Sequence, residues 1–256
     1  MTKRKANNES RLGIVDWGIG GVGIYKALRA RLGDVSVVYF SDTGAKPYGK
    51  MAGRELALRL SQVVEFLQIY GVSRVLFACN AASTAIPTLG ESKVKIEGVI
   101  DSATDLVERM RPARLALIGG RRTVLSGVYR RAFSRRGIAL EQRIAQPLSA
   151  LIEAGDTSSE LLREECRRIL SPIKNCSHLL LACTHYPAIT AVIKQYLSSY
   201  SKIVDPAEAV VGRMARWEIS TGSGQVFLTS GDPQRMKEAA WNAWKVRLGA
   251  ARHVDL

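Results

Sequence analysis

Short runs of consecutive apolar residues alternate along this chain with longer stretches in which apolar positions recur every three or four residues. The runs over 12–16, 35–40, 74–78, 94–100, 115–118 and 178–182 have the length and near-continuous apolarity of strands buried on both faces. The stretches 21–31, 53–70, 124–136 and 158–170 carry the helical period. In the second of these, Leu56, Leu60, Val63, Val64, Leu67 and Tyr70 fall on one face. Strand–helix alternation with apolar strands predicts an α/β fold of mostly parallel sheets flanked by helices. Beyond residue 217 the pattern adds a strand over 225–229 and a helix opening at Asp232-Pro233, with Asp as N-cap and Pro in the first turn. This tail is expected to return to the first half of the chain.

The pattern also repeats. Asp16, Cys79 and Asp101 close strands in the first half, and Gly119, Cys183 and Asp205 close strands of matching character in the second, at offsets of 103, 104 and 104 residues. Three landmarks in register predict two copies of one α/β unit. The expected domains are residues 12–101 with 206–256, carrying Cys79, and residues 102–205, carrying Cys183. No linker rich in Pro, Gly or Ser separates them, so they are expected to pack tightly as two pseudo-symmetric domains around a cleft.

Composition narrows the function classes. Hydrophobic residues make up 46% of the 256 and charged residues 23%, a globular balance. Four cysteines (79, 166, 176 and 183) are too few for a disulfide-stapled scaffold. The polar N-terminus has no apolar run behind it, and no stretch approaches the ~18 apolar residues of a membrane span. A soluble, cytoplasmic protein is expected.

Ligands of open α/β sheets bind at the carboxyl ends of strands, where both Cys79, in Phe-Ala-Cys79-Asn-Ala-Ala-Ser, and Cys183, in Leu-Ala-Cys183-Thr-His-Tyr-Pro, are placed. If the units pack about a pseudo-twofold axis, the two thiols enter one cleft from opposite sides. A thiolate is both nucleophilic and basic, and a helix N-terminus lowers its pKa. Two thiols flanking a substrate carbon could take a proton from one face and return one to the other, an epimerisation that requires no metal. Either cysteine alone also reads as a buried structural thiol. A zinc site shared by Cys176, His178, Cys183 and His185 is disfavoured. The two cysteines are seven positions apart, roughly 20 Å along a strand, whereas zinc ligands lie within ~2.3 Å of the metal. Cys166 and His178 are expected to be structural, and His253 to face solvent.

The motifs in order resemble the glutamate racemase family of cofactor-independent aspartate/glutamate racemases. Asp16-Trp-Gly-Ile-Gly-Gly21, Asp42-Thr43 with Pro47-Tyr-Gly49, Cys79-Asn-Ala-Ala-Ser83, Ser126-Gly127 with Tyr129, Leu151-Ile-Glu-Ala-Gly155 and Cys183-Thr-His-Tyr-Pro187 carry the likeness over nearly the whole chain. The resemblance implies interconversion of L- and D-glutamate without pyridoxal phosphate or any other cofactor, feeding D-glutamate to peptidoglycan synthesis. Cys79 would act on the D-enantiomer with help from Asp16, and Cys183 on the L-enantiomer with help from His185 and Glu153. A solvated helix-end carboxylate is the alternative for Glu153. Pro47, Tyr48, Gly49, Asn80 and Thr184 would face the substrate, an amino acid bearing two carboxylates. A homodimer and secondary binding of DNA gyrase are partners that the resemblance alone suggests.

Two departures bear on the substrate. Trp17 stands where the family has Ser and Ala81 where it has Thr, both at substrate-facing positions; Gly120 replaces a frequent Thr. A lost hydrogen bond to a charged group is worth roughly 1.5–3 kcal/mol. A different acidic substrate such as aspartate, or a weakly catalytic homologue with a binding role, therefore stays open. The formal charge is +14. Nine arginines (111, 114, 121, 122, 130, 131, 135, 136 and 143) cluster opposite a single acid, Glu141. Such a patch can steer a dicarboxylate; no nucleic-acid motif accompanies it, and nucleic-acid binding is not expected.

Overall fold

The computed structural model describes residues 10–222 and 224–256; residues 1–9 of the polar N-terminal stretch lie outside the described residues. Strand β1 (Arg11–Asp16) leads through a glycine-rich turn into helix α1 (Gly21–Leu32), β2 (Val37–Ser41) into α2 (Gly53–Gln68), β3 (Val72–Phe77) into the short α3 (Asn80–Ser83), and β4 (Lys95–Gly98) into α4 (Ile100–Met110). A second series follows: β5 (Leu115–Gly119), α5 (Arg121–Leu125), α6 (Val128–Ser134), β6 (Leu140–Ile144), α7 (Gln146–Glu153), α8 (Glu160–Leu170), β7 (His178–Ala182), α9 (Thr190–Lys194) and β8 (Lys202–Val204). The tail holds α10 (Ala207–Met214), β9 (Gln225–Thr229), α11 (Pro233–Trp244) and β10 (Ala251–His253).

The strands form two sheets, ordered β10-β9-β2-β1-β3-β4 and β6-β5-β7-β8. Every strand pair in both is parallel. Without β9 and β10, the first sheet has the order β2-β1-β3-β4, which the second repeats as β6-β5-β7-β8. In each, the chain crosses to one side of its first strand and then to the other, so a crevice opens at the carboxyl ends of the two middle strands. Those ends carry Asp16 and Cys79 in one sheet and Gly119 and Cys183 in the other. The tail strands β9 and β10 extend the first sheet on the β2 edge.

Apolar spacing accounts for the packing. Leu56, Leu60, Val63, Val64 and Leu67 of α2 are buried against the first sheet. The largest core cluster runs without a break from Leu12, Ile14 and Leu28 through Ile118 and Leu181 to Ile193, so one apolar core joins both sheets. Two N-caps follow sequence chemistry. Asp232 accepts the Gln234 and Arg235 N–H groups at the start of α11, and Ser159 accepts that of Leu162 at the start of α8. No helix among the described residues is long and apolar enough to cross a membrane.

Three sequence expectations change. Asp101 does not end a strand; β4 stops at Gly98, and Asp101 lies exposed in the first turn of α4, where a carboxylate suits the helix dipole. The helix expected over 124–136 is two helices, broken where Gly127 takes a left-handed conformation, φ 67°. Strands β6 and β10 escape the apolar pattern because both are short, charged, half-exposed edges.

Replacing Gly127 forces a side chain into that left-handed turn. Gly127→Ala is expected to destabilise the protein by about 1 kcal/mol, read as a lower urea-unfolding midpoint; an unchanged or higher midpoint would contradict this account of the helix break.

Candidate active site

A cavity of about 1080 Å³ opens at the carboxyl ends of both sheets, and all twelve residues singled out from the sequence line it. The turn after β1 forms its floor, and hydrogen bonds from several directions hold that turn. Gly18 N–H donates to Asp16 Oδ1 at 3.3 Å, Tyr39 OH to the Gly18 carbonyl at 2.8 Å, Ile19 N–H to Glu153 Oε2 at 2.9 Å, and Trp244 Nε1 to the Ile19 carbonyl at 2.9 Å. Glycine is needed here for closeness rather than for φ. A Cβ on Gly18 would collide with the Glu153 carboxylate, and one on Gly20 would come within 2.6 Å of both His185 Nδ1 and Thr184 Oγ1.

Cys79 caps α3 immediately after β3 and is half-buried. Burial pushes its thiol well above the ordinary cysteine range; the nearby Asp16 carboxylate and Cys183 add to this, and the Ala82 and Ala81 backbone N–H groups oppose it. Asp16 is 1% exposed. Burial raises its pKa too, against the pull of His185, the Gly18 N–H and the hydroxyl of Thr184, which donates to Asp16 Oδ2 at 3.0 Å. Both groups are thus shifted toward holding a proton, so the Asp16 carboxylate is a better proton acceptor than a solvent-exposed one would be.

Cys183 stands at the equivalent point after β7, with a different neighbour. Its Sγ lies 3.7 Å from His185 Nδ1, and His185 Nε2 lies 2.6 Å from Glu153 Oε2. Because a carboxylate only accepts, Nε2 carries the proton of that bond. Nδ1 can then accept from a thiol or, as imidazolium, donate to a thiolate. Burial lowers the His185 pKa, but its bonds to Cys183 and Glu153 outweigh this and hold it well above the usual histidine range. Glu153, the last residue of α7, is not a solvated helix end; its carboxylate is engaged by both Ile19 N–H and His185.

The walls show how each remaining residue can act. Asn80 is buried, and its Oδ1 accepts from Tyr129 OH at 2.7 Å, leaving its amide nitrogen as the group to offer a ligand. Tyr48 is fixed through its hydroxyl to Asp42 Oδ2 at 2.8 Å, and Arg59 clamps the same carboxylate through Nε and Nη2 at 2.9 and 2.6 Å. Tyr48 therefore presents backbone and ring rather than its hydroxyl, beside Pro47 and Gly49. Trp17 is half-buried with its indole N–H on the Ala45 carbonyl at 3.0 Å, so it lends the wall an apolar face; Ala81 adds a methyl group. Cys166 and Cys176 are buried elsewhere, and exposed His253 bonds the Gly231 carbonyl and Asp255.

Sequence reasoning missed one wall. Met236, Ala239 and Asn242 of α11 close the cavity from the tail, while Arg122 and Gln146 enter from α5 and α7. The Asp232-Pro233 signal marked the start of α11 but not that the helix would wall this cavity.

Two thiols with separate acid/base partners at matched strand ends form an arrangement suited to proton exchange at a carbon between them. Comparison with known proteins agrees in family and in fold. A family model described as Asp/Glu/Hydantoin racemase matches residues 12–214. The glutamate racemase of Gloeobacter violaceus is 34% identical over 245 residues, which cover 90% of this chain and 91% of that protein. The crystal structure of the Thermus thermophilus glutamate racemase, in complex with beta-chloro-D-alanine, superimposes with a TM-score of 0.83 at 28% identity, covering 97% of this chain and 98% of that one. An aspartate racemase from Picrophilus torridus shares the fold, with a TM-score of 0.67 at 17% identity over 83% of this chain and 96% of that one. With its motifs in order, its doubled parallel sheet and both cysteines at one cavity, this chain belongs to the Asp/Glu/hydantoin racemase family.

Proposed function

We propose that the protein interconverts L- and D-glutamate by a two-thiol acid/base mechanism. The observation that carries this reading is the pair of half-buried cysteines lining one cavity, each at the carboxyl end of an equivalent strand and each beside its own proton carrier. One thiolate removes the Cα proton, the carbon becomes planar as its charge spreads into the α-carboxylate, and the opposite thiol protonates the other face. The thiol left protonated and the thiolate left behind have exchanged roles, so the reverse reaction begins where the forward one ends. Cys79 with Asp16 serves the D-enantiomer, and Cys183 with His185 and Glu153 serves the L-enantiomer. Asn80, Thr184 and the backbone at Tyr48 and Gly49 hold the substrate's polar groups.

In this reading the units divide as residues 12–101 with 206–256, and 102–205, and the product supplies D-glutamate for peptidoglycan synthesis in the cytoplasm. A homodimer and a secondary contact with DNA gyrase rest on the resemblance alone. One observation favours a shorter acid such as aspartate as a second reading. The Trp17 indole is held in the cavity wall by Ala45, and the wall loses a hydroxyl at Ala81.

NMR in D2O without added cofactor, across L- and D-amino acids, separates the two. Deuterium is expected at Cα of glutamate with loss of chirality. Because positioned acid/base groups contribute about 10²–10⁴-fold, Cys79→Ser and Cys183→Ser should each cut racemisation at least ~100-fold. Racemisation that persists in the double variant would overturn the two-thiol mechanism.

A second expectation concerns His185. A step that needs its imidazolium fails as pH rises through the His185 pKa, which the Glu153 bond helps to raise. Glu153→Gln removes that support, so the basic limb of the kcat/KM profile should move to lower pH. A profile with both limbs unmoved would remove Glu153 from the acid/base machinery.

A further inference from the structure

Of the nine arginines between residues 111 and 143, Arg122 lines the cavity. Others of the group are engaged elsewhere: Arg136 pairs with Asp105 and Glu108, and Arg114 and Arg143 with Glu141. Arg122 springs from the first turn of α5 and crosses to the loops of the first sheet. Its Nε donates to Thr84 Oγ1 at 2.9 Å and its Nη1 to the Met51 carbonyl at 3.0 Å. Both acceptors are neutral, and among the described residues no carboxylate lies within ion-pair distance of it. Burial pulls its pKa below the ordinary arginine value, opposed by the attraction of Cys79, although a guanidinium stays charged.

The other cations at or near the cavity are paired or lie in water. His185 has Glu153, and Arg59 has Asp42. Lys50 and Arg235 also line the cavity but are exposed, where water screens them. Arg122 is therefore a half-buried cation at a ligand cavity, held by two of its nitrogens and paired with no carboxylate among the described residues. Its position relative to the chemistry follows from α3. Cys79 caps the start of that helix and Thr84 its end, about 7.5 Å apart at 1.5 Å per residue. The guanidinium is thus anchored at the far end of the short helix that Cys79 caps, and both residues line the one cavity.

We propose that Arg122 binds the side-chain carboxylate of the substrate and thereby selects dicarboxylic amino acids over neutral ones. Its planar fork suits a carboxylate, and its bonds to Thr84 and Met51 fix it before the ligand arrives. This inference rests on the acidic amino-acid reading above and extends it by naming the residue that reads the acid.

The test uses the full chain and two unreactive probes, glutarate and butyrate, which share one carboxylate and differ in the second. By calorimetry the wild type should bind glutarate at least about tenfold more tightly than butyrate. Arg122→Gln should lose about 10- to 100-fold in glutarate affinity, the range of a charge-assisted hydrogen bond, with butyrate unchanged. Arg122→Lys, which keeps the charge and loses the fork, should fall between; should Arg122→Gln not fold, a loss for glutarate alone in Arg122→Lys carries the same conclusion. In turnover, KM for glutamate should rise while kcat stays within a few-fold. Equal losses for both probes would mean that Arg122 merely braces the wall through Thr84 and Met51, and an unchanged glutarate affinity would also overturn the proposal. If the wild type exchanges no Cα proton on any acidic amino acid, the racemase reading fails on its own, while an Arg122-dependent preference for glutarate would still establish the dicarboxylate site.

Discussion

The active site depends on a single oxygen. Glu153 Oε2 accepts from Ile19 N–H, in the turn after β1 of the first sheet, and from His185 Nε2, after β7 of the second. The first bond fixes the turn that bears Asp16; the second fixes the imidazole against Cys183. One carboxylate therefore sets the geometry on both thiol sides, and Thr184 reaching Asp16 adds a second tie in the same direction. Neither sheet with its own helices contains this arrangement. It exists because one apolar core holds the two carboxyl edges face to face, close enough that Gly18 and Gly20 have no room for a side chain.

Backbone symmetry does not extend to the electrostatics. The strand orders match and the cysteines are equivalent, but Cys79 has a buried carboxyl group and two helix N–H groups beside it, whereas Cys183 has an imidazole braced by a carboxylate. A carboxylate can take a proton from one thiol while an imidazolium gives one to the other cysteine's thiolate. Proton traffic across a carbon requires one acid and one base at any instant. Unequal neighbours supply that difference, and a perfectly symmetric site would not.

Much of this was legible in the sequence because parallel strands buried on both faces leave continuous apolar runs, and because a repeated unit keeps its spacing. The matched positions of Cys79 and Cys183 needed only that. The edges were not legible: β6 and β10 each have one neighbour and exposed, charged side chains, so they lack the signal that burial imposes. Asp101 misled because Val99 and Ile100 prolong the apolar run of β4 into the first turn of α4, and apolarity alone does not separate a strand from a buried helix start. The role of Glu153 came only from motif resemblance, since its partners lie 134 and 32 residues away. The wall contributed by α11 was invisible for the same reason. Its start is a local signal, but its destination is tertiary.

The residues at positions 17, 81 and 122 together set the character of the cavity wall. Trp17 uses its indole N–H on the Ala45 carbonyl and turns only carbon toward a ligand, and Ala81 offers a methyl group. Hydroxyls that would have recognised polar groups by direction are therefore missing from the first sheet's side. The wall does carry a guanidinium that arrives from the second sheet and is anchored on the first. A hydroxyl discriminates by geometry over a single contact, whereas a partly desolvated cation attracts negative charge over several ångströms. Recognition built this way depends first on the ligand's formal charge and only then on its shape. It also ties binding to the contact between the two units, because the residue that reads the charge is held in place by Thr84 and Met51 across that contact.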